Sequence, residues 1–299
     1  MVAGTIAGHQ PACGSNLQPT LISIAQCNSN TCTPYEHHRL NFLTGTDDRE
    51  TRMCSRPASG AAMPVSSRSK IKNVLLKKMR ASDLALLKAH LERVDLPQGA
   101  VLSPPNKRLK HVYFPEGGVT SIVTVEADGK RTEVGLFGRE GMSGSSLVLG
   151  TDRTPLETFV QIGGVAAHRI SREALLQAVT ESQSLRALFG AFAQCLATQV
   201  SYTASSNANQ PLQERLARWL LMCHDRVDGP DLDLTHEFLA MMLAVRRAGV
   251  TDHLKQMQTD GAITTRRGTI SVLDRRRLEA IAGHGYGAPE AEYRRLIGS

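Results

Sequence analysis

No uninterrupted apolar run in the chain approaches the roughly 18 residues that a membrane-spanning helix requires, so nothing in the sequence reads as an anchor. The positive start of a secretory leader is missing too, because the first basic residue is Arg39. These two absences point to the cytoplasm. The six cysteines (Cys13, Cys27, Cys32, Cys54, Cys195 and Cys223) contain no CxxC pair. Four fall in the N-terminal segment and two in helical patterns, so neither a disulfide framework nor a standard zinc pattern emerges. A Gly-rich phosphate loop and a close nucleophile–base pair are lacking as well, which argues against an enzyme. No metal and no cofactor are expected.

What is present fits two globular domains with proper cores in 299 residues, at a hydrophobic share of 41%. A formal charge of +7 favours an anionic partner without identifying it.

Residues 1 to 69 are rich in Gly, Ser, Thr, Asn and Pro and show no sustained periodicity, which reads as a disordered tail. Cys27, Cys32, His37 and His38 lack the second close pair that a metal site would need. A translation start at Met53, Met63 or Met79 is the simpler account of this segment.

Pattern sharpens from Ile71. Asp83 to Leu91 is a short amphipathic helix, with Ser82 as its expected cap. Short strand-like runs follow at Val101–Leu102, His111–Phe114, Val119–Val125, Thr132–Phe137 and Leu156–Ile162. Turn residues separate them, with Asp128–Gly129 the strongest hairpin signal. Many short strands at close spacing mean a small antiparallel barrel or roll. Helix resumes after Ser171, a cap followed by Glu173 in the first turn. From Leu185 to Thr203, the residues Leu185, Leu188, Phe192, Cys195, Gln199 and Tyr202 alternate at spacings of three and four, the pattern of a coiled-coil seam. Asn207 to Pro211 then breaks the helix and marks a domain boundary. Leu212, Leu216, Trp219 and Leu220 form the stripe of the next helix.

The stretch LTHEFLAMMLAVRRAGVTDHLKQM, residues 234 to 257, is the most informative. Leu239, Met242 and Leu243, then Val245, Val250 and Leu254, have helical spacing with a break between the sets. Ala240 is small where two helices would cross, and Ala244 and Val245 sit where the chain must turn. Arg246 and Arg247 would project from the start of the second helix, where major-groove readers place base contacts. Strand-like runs at 262–265 and 269–272 flank Arg266-Arg267-Gly268, making a hairpin with a basic tip. A last helix covers about Arg275 to Ile281, and residues 285–299 read as a featureless tail.

A leading roll, a long seam helix and a winged helix-turn-helix occur here in one order. That order resembles the Crp/Fnr family of bacterial transcription regulators over roughly residues 71 to 283. The most specific stretches are 111–115, 134–142 and 239–251. The resemblance implies an α+β chain: a cyclic-nucleotide-binding-like antiparallel roll at 70–183, a dimerisation helix and hinge at 184–208, and a winged helix-turn-helix at 209–284. It implies double-stranded DNA as partner and a homodimer on a palindromic site, with RNA polymerase and an unidentified small-molecule effector as further candidate partners.

Cyclic-AMP-binding members carry a Gly-Glu-Leu turn whose acid holds the ribose and an Arg-Ser pair that holds the phosphate. Here Arg153-Thr154 matches the phosphate pair, a guanidinium fork suited to phosphate. The acid position falls near Ser143, and a missing charged acceptor is worth on the order of 2 kcal/mol. Gly144, Ser145, Arg153, Thr154 and Ser201 are thus the candidate effector contacts, for an effector other than cyclic AMP or for none. A cyclic-nucleotide response through Arg153-Thr154 is one alternative, and a winged domain that binds protein is another. The cysteine spacing does not match the family's iron–sulfur members, and His90, His111 and His168 read as surface or core histidines.

At the DNA, Arg247 is the expected base reader and Arg246 a phosphate or base contact. Thr251 is placed against either. Thr235 caps the first helix and touches backbone, while Lys255, Arg266 and Arg267 meet phosphates. The best-known readers carry a glutamate and then an arginine where this chain has Ala248 and Asp252, so its operator should differ.

Overall fold

The computed structural model describes residues 71–163 and 165–298. The readings of the four N-terminal cysteines, of His37 and His38, and of Met53 and Met63 lie outside these residues. The described residues fall in one compact unit.

Two short helices lead, α1 (Val74–Lys78) and α2 (Ala81–Lys88). The buried side chain of Asn73 caps α1 by accepting from Leu76 N and donates to the Pro115 and Gly141 carbonyls at 2.9 Å each. The expected cap of α2 is a correction: Arg80, not Ser82, precedes the helix, and no side chain caps it. Asp83 is buried because it accepts at 2.7 Å from both Ser182 and Ser184, tying α2 to the start of the long helix.

The roll is built from β1 (Glu92–Leu96), β2 (Val101–Ser103), β3 (His111–Pro115), β4 (Val119–Val125), β5 (Arg131–Phe137), β6 (Glu157–Ile162) and β7 (Val165–Ser171). They form two antiparallel sheets, β1-β7-β3 and β2-β6-β4-β5. The hairpin turn at Asp128–Gly129 joins β4 to β5, with Gly129 at φ +82°. The sequence pattern found five of the seven strands. It missed β1, whose edge position leaves Glu92 and Arg93 exposed, and β7, whose alanines and histidine give no alternation. Val112, Phe114, Phe137 and Ile170 from both sheets share one core with α1 and α2.

Helix α3 (Arg172–Glu181) is capped by Ser171, as its sequence implied. Helix α4 (Gln183–Asn209) runs 27 residues, capped by Ser182. Its seam is a correction. Leu185, Phe192, Cys195 and Gln199 are buried against the chain's own roll, because strand β5 and the C-terminal helix supply the apolar surface they cover. Only Tyr202 of that set is exposed.

The C-terminal domain comprises α5 (Leu212–His224), β8 (Asp231–Asp233), α6 (His236–Met242), α7 (Arg247–Thr259), β9 (Ile263–Arg266), β10 (Thr269–Val272) and α8 (Arg275–Ala282). Strands β8-β10-β9 make a small sheet. The tail is a third correction: α9 (Ala288–Leu296) starts where Glu290 accepts from Gly287 N at 2.9 Å, and it packs on α4. Tyr293 donates to the Glu140 carbonyl at 2.7 Å, and Ile297 is buried in the roll's core.

Roll and C-terminal domain share a second core. Val123, Leu136 and Phe159 of the roll meet Trp219 and Leu220 of α5 and Leu239 of α6. Phe159 packs edge-on to Phe238 at 6.4 Å. Arg226 and Glu140 pair across the same junction at 2.7 Å, as do Arg139 and Asp228 at 2.8 Å.

Candidate nucleic-acid interface

The helix pair forms for local reasons. Thr235 caps α6 by accepting from Phe238 N. Leu239, Ala240 and Met242 bury one face of α6, while Val250, Leu254 and Met257 bury one face of α7. Between them Ala244 takes φ +52°, a left-handed conformation that a non-glycine residue adopts only where the surroundings enforce it. Val245 N closes this turn onto the Ala240 carbonyl, and Arg215 of α5 donates to the Leu243 carbonyl at 2.6 Å. The left-handed residue thereby takes up the direction change.

Burial of that face of α7 turns the remainder outward. Arg246 is the residue before the helix, Arg247 its first residue, and both are exposed. Lys255 is exposed two turns on, and Ala248 and Asp252 are exposed beside it. Thr251 is half-buried: its hydroxyl donates to the Arg247 carbonyl and lies 3.0 Å from His236 Nδ1. Glu237 sits 3.6 Å from Arg247. With both side chains mostly in solvent, that ion pair is a weak restraint on the guanidinium. Burial, and secondarily Arg247, holds the His236 imidazole below its ordinary pKa, so it is neutral at pH 7. His236 and Glu237 escaped sequence reading, since neither belongs to the apolar stripe nor to the basic set.

The wing forms as its sequence implied. Arg266 pairs with Thr269 across the two-residue turn Arg267-Gly268, where Gly268 takes φ +79°. Both arginines are exposed. Gln258 of α7 accepts from the Thr265 amide and hydroxyl, which fixes the wing relative to the second helix. Arg246, Arg247, Lys255, Arg266 and Arg267 therefore stand on elements of one packed domain, α7 and the wing, with their heads in solvent.

Residues 214–281 match the model of the Crp-like helix-turn-helix domain. The chain has the Crp/Fnr regulator fold. A Crp/Fnr-family transcriptional regulator of Eubacterium rectale superposes with a TM-score of 0.56 at 18% identity, covering 70% of this chain and 97% of that one. A Crp-family regulator of Thermus thermophilus gives 0.54 at 17% identity, over 66% and 99% of the two chains. The c-di-GMP-responsive global regulator CLP of Xanthomonas campestris gives 0.51 at 22% identity, over 64% and 99%. No curated protein matches the chain in sequence. The roll precedes the long helix and the Crp-like helix-turn-helix, the order expected from the sequence.

The five candidate effector residues sit on three parts of the fold: Gly144 and Ser145 at a 3₁₀ turn, Arg153 and Thr154 in the turn before β6, and Ser201 on α4. Gly144 takes φ +69° before a 3₁₀ turn, Ser145–Leu147, with Val112, Leu109 and Leu147 crowding it. Arg153 is 61% exposed and pairs with Asp152, an acid that also pairs with Arg108 and Arg172. The Arg108 guanidinium, and after it Arg153, holds the Asp152 carboxyl below its usual range against the opposing effect of desolvation. Thr154 accepts from Leu156 N in the same turn. Ser201 is exposed on α4 and donates to its own helix at the Ala197 carbonyl. Among the described residues no helix is long and apolar enough to cross a membrane.

Proposed function

We propose that the chain is a non-enzymatic, sequence-specific DNA-binding transcription regulator that acts in the cytoplasm. It reads a palindromic site as a homodimer and responds to an effector other than cyclic AMP or to none. The observation that carries this reading is the exposed pair Arg246–Arg247 at the first turn of α7, set on a helix whose other face is buried. Such a helix fits the major groove, and an arginine at its start donates two bonds to guanine. Arg247 is assigned to a base, Arg246 to a phosphate or base, and Thr251 to either. Thr235, Lys255, Arg266 and Arg267 hold the backbone.

For the dimer, α4 offers an outward row in which Gln194, Ala197, Ser201 and Ala204 repeat at three and four and are exposed. Small side chains there permit close approach of a second α4. This row replaces the seam buried against the roll. Arg153, with its acid partner and its exposure, supports no cyclic-nucleotide grip.

The test is a gel-shift series on sites selected from random DNA, repeated across salt concentrations. Binding that falls steeply with salt, on inverted-repeat sites, supports the reading, because neutralised phosphates release counterions. A flat salt response or the absence of any selected site would overturn it in favour of a protein partner.

A further inference from the structure

A cavity of about 280 Å³ lies where the roll, α4, α5 and α9 meet. None of the candidate effector residues named above lines it. Leu136, Phe192, Leu196 and Tyr293 are among its lining residues, and Cys195 adds a thiol whose pKa burial pushes up to about 11, so it is uncharged. An apolar cavity of about 150 Å³ holds benzene, so this one has room for a molecule roughly twice that size.

The polar groups at its edge are unequal. The acids are occupied: Glu140 accepts from Arg226 and from Gly138 N, Asp225 from Arg275 and Tyr286, and Glu290 from Gly287 N. The donors are not. Gln199 is buried and accepts from Leu136 N through Oε1, while its Nε2 makes no hydrogen bond among the described residues. Arg226 uses Nε for Glu140 and Nη1 for the Met222 carbonyl, leaving Nη2 without a hydrogen bond among the described residues. Arg139 Nε is buried without a partner, and Arg294 stands exposed on α9 at the rim. Of these donor atoms Arg139 Nε is itself buried, and a buried donor without an acceptor is costly unless something supplies one.

We infer that this cavity binds a small, largely apolar monocarboxylate, with its hydrocarbon body against Leu136, Phe192 and Leu196 and its carboxylate toward Gln199 and Arg226. Such a ligand touches the roll, the long helix, the residues that end the first helix of the C-terminal domain, and the C-terminal helix at once. It is therefore placed to fix their mutual packing, and in that consequence the inference rests on the regulator reading. Binding itself does not depend on it.

Calorimetry on the full chain with 2-naphthoate, octanoate and neutral 2-naphthol tests the inference without DNA. At least one carboxylate should bind, and 2-naphthol about tenfold more weakly than 2-naphthoate. Leu196→Trp, which fills the cavity, should weaken carboxylate binding by about tenfold or more. Arg294→Glu, a surface change on α9 that leaves the core intact, should weaken the carboxylates severalfold and leave 2-naphthol unchanged. No binding of either carboxylate, binding unaffected by both substitutions, or equal affinity for acid and alcohol would overturn it. A second titration in the presence of the selected DNA site separates the outcomes: carboxylate binding with no DNA binding sinks only the regulator reading.

Discussion

Glu133 of strand β5 accepts a 2.6 Å hydrogen bond from the indole Nε1 of Trp219 in α5, so the chain's one tryptophan is fastened to a buried carboxyl of the roll. The other carboxyl oxygen of Glu133 accepts from Ser121 at 2.6 Å, and the Ser121 hydroxyl also meets the Gln161 side chain. The pair closes the junction between roll and C-terminal domain with polar groups inside an apolar core.

Burial pushes the Glu133 carboxyl up to about 7, against the opposing pull of Ser121, Trp219, Arg218 and Arg226. When the junction opens, the same carboxyl returns to the ordinary range near 4.5. Below pH 4.5 both states are protonated. Between there and pH 7 only the opened state ionises, so the stability this group contributes falls as pH rises and levels off above 7. Thermal unfolding at pH 5, 6, 7 and 8, followed by Trp219 fluorescence, should therefore fall more steeply in the wild type than in Glu133→Gln, which keeps an acceptor and cannot titrate. Parallel curves for the two proteins would refute the assignment.

Trp219→Phe removes the donor and leaves a buried carboxyl oxygen unpaired. A loss of about 1–3 kcal/mol in urea unfolding is expected. The double variant with Glu133→Leu should recover part of it, because neither polar group then remains to be satisfied.

Gly138 of the roll lies between Gly118 of the roll and Arg226 of the C-terminal domain. A Cβ there would lie 2.6 Å from the Gly118 carbonyl oxygen and 2.9 Å from Arg226 Cβ, and backbone cannot give way cheaply. Gly138→Ala should destabilise by about 1–3 kcal/mol, measured by denaturant midpoint. A midpoint equal to wild type would show that the junction is looser than its contacts imply.

At the proposed DNA surface the arginines should separate by kind. Arg247→Ala should weaken the selected site by about 1–3 kcal/mol and relax preference at one base pair. Arg267→Ala, at the wing tip, should weaken all sequences alike and reduce the salt slope by about 1. Gel shifts on the selected site, on single-base variants and across salt distinguish the two roles.

Local rules were enough for several elements. Apolar residues at helical spacing gave α5, α6 and α7, turn residues gave the wing and the β4–β5 hairpin, and Ser171 and Thr235 gave two caps. Each depends on neighbours a few residues away, and such short-range geometry is written in the order of side chains. Ala244 was legible as the turn position, though not as a residue held at positive φ. Strands β1 and β7 were not legible, because an edge strand exposes polar residues and an alanine-rich strand carries no alternation. Nor was α9, whose partners lie about 100 residues away along α4.

By itself, the sequence determined the order of modules and the outward row of arginines on α7. Tertiary structure decided which neighbour each apolar face would cover. The stripe of α4 could have met a second chain or its own roll with the same periodicity, since period records only that a face is buried. Packing against β5 and α9 chose the roll. The same choice brought Glu133 to Trp219 and enclosed the cavity under α9, from residues that no short-range pattern connects.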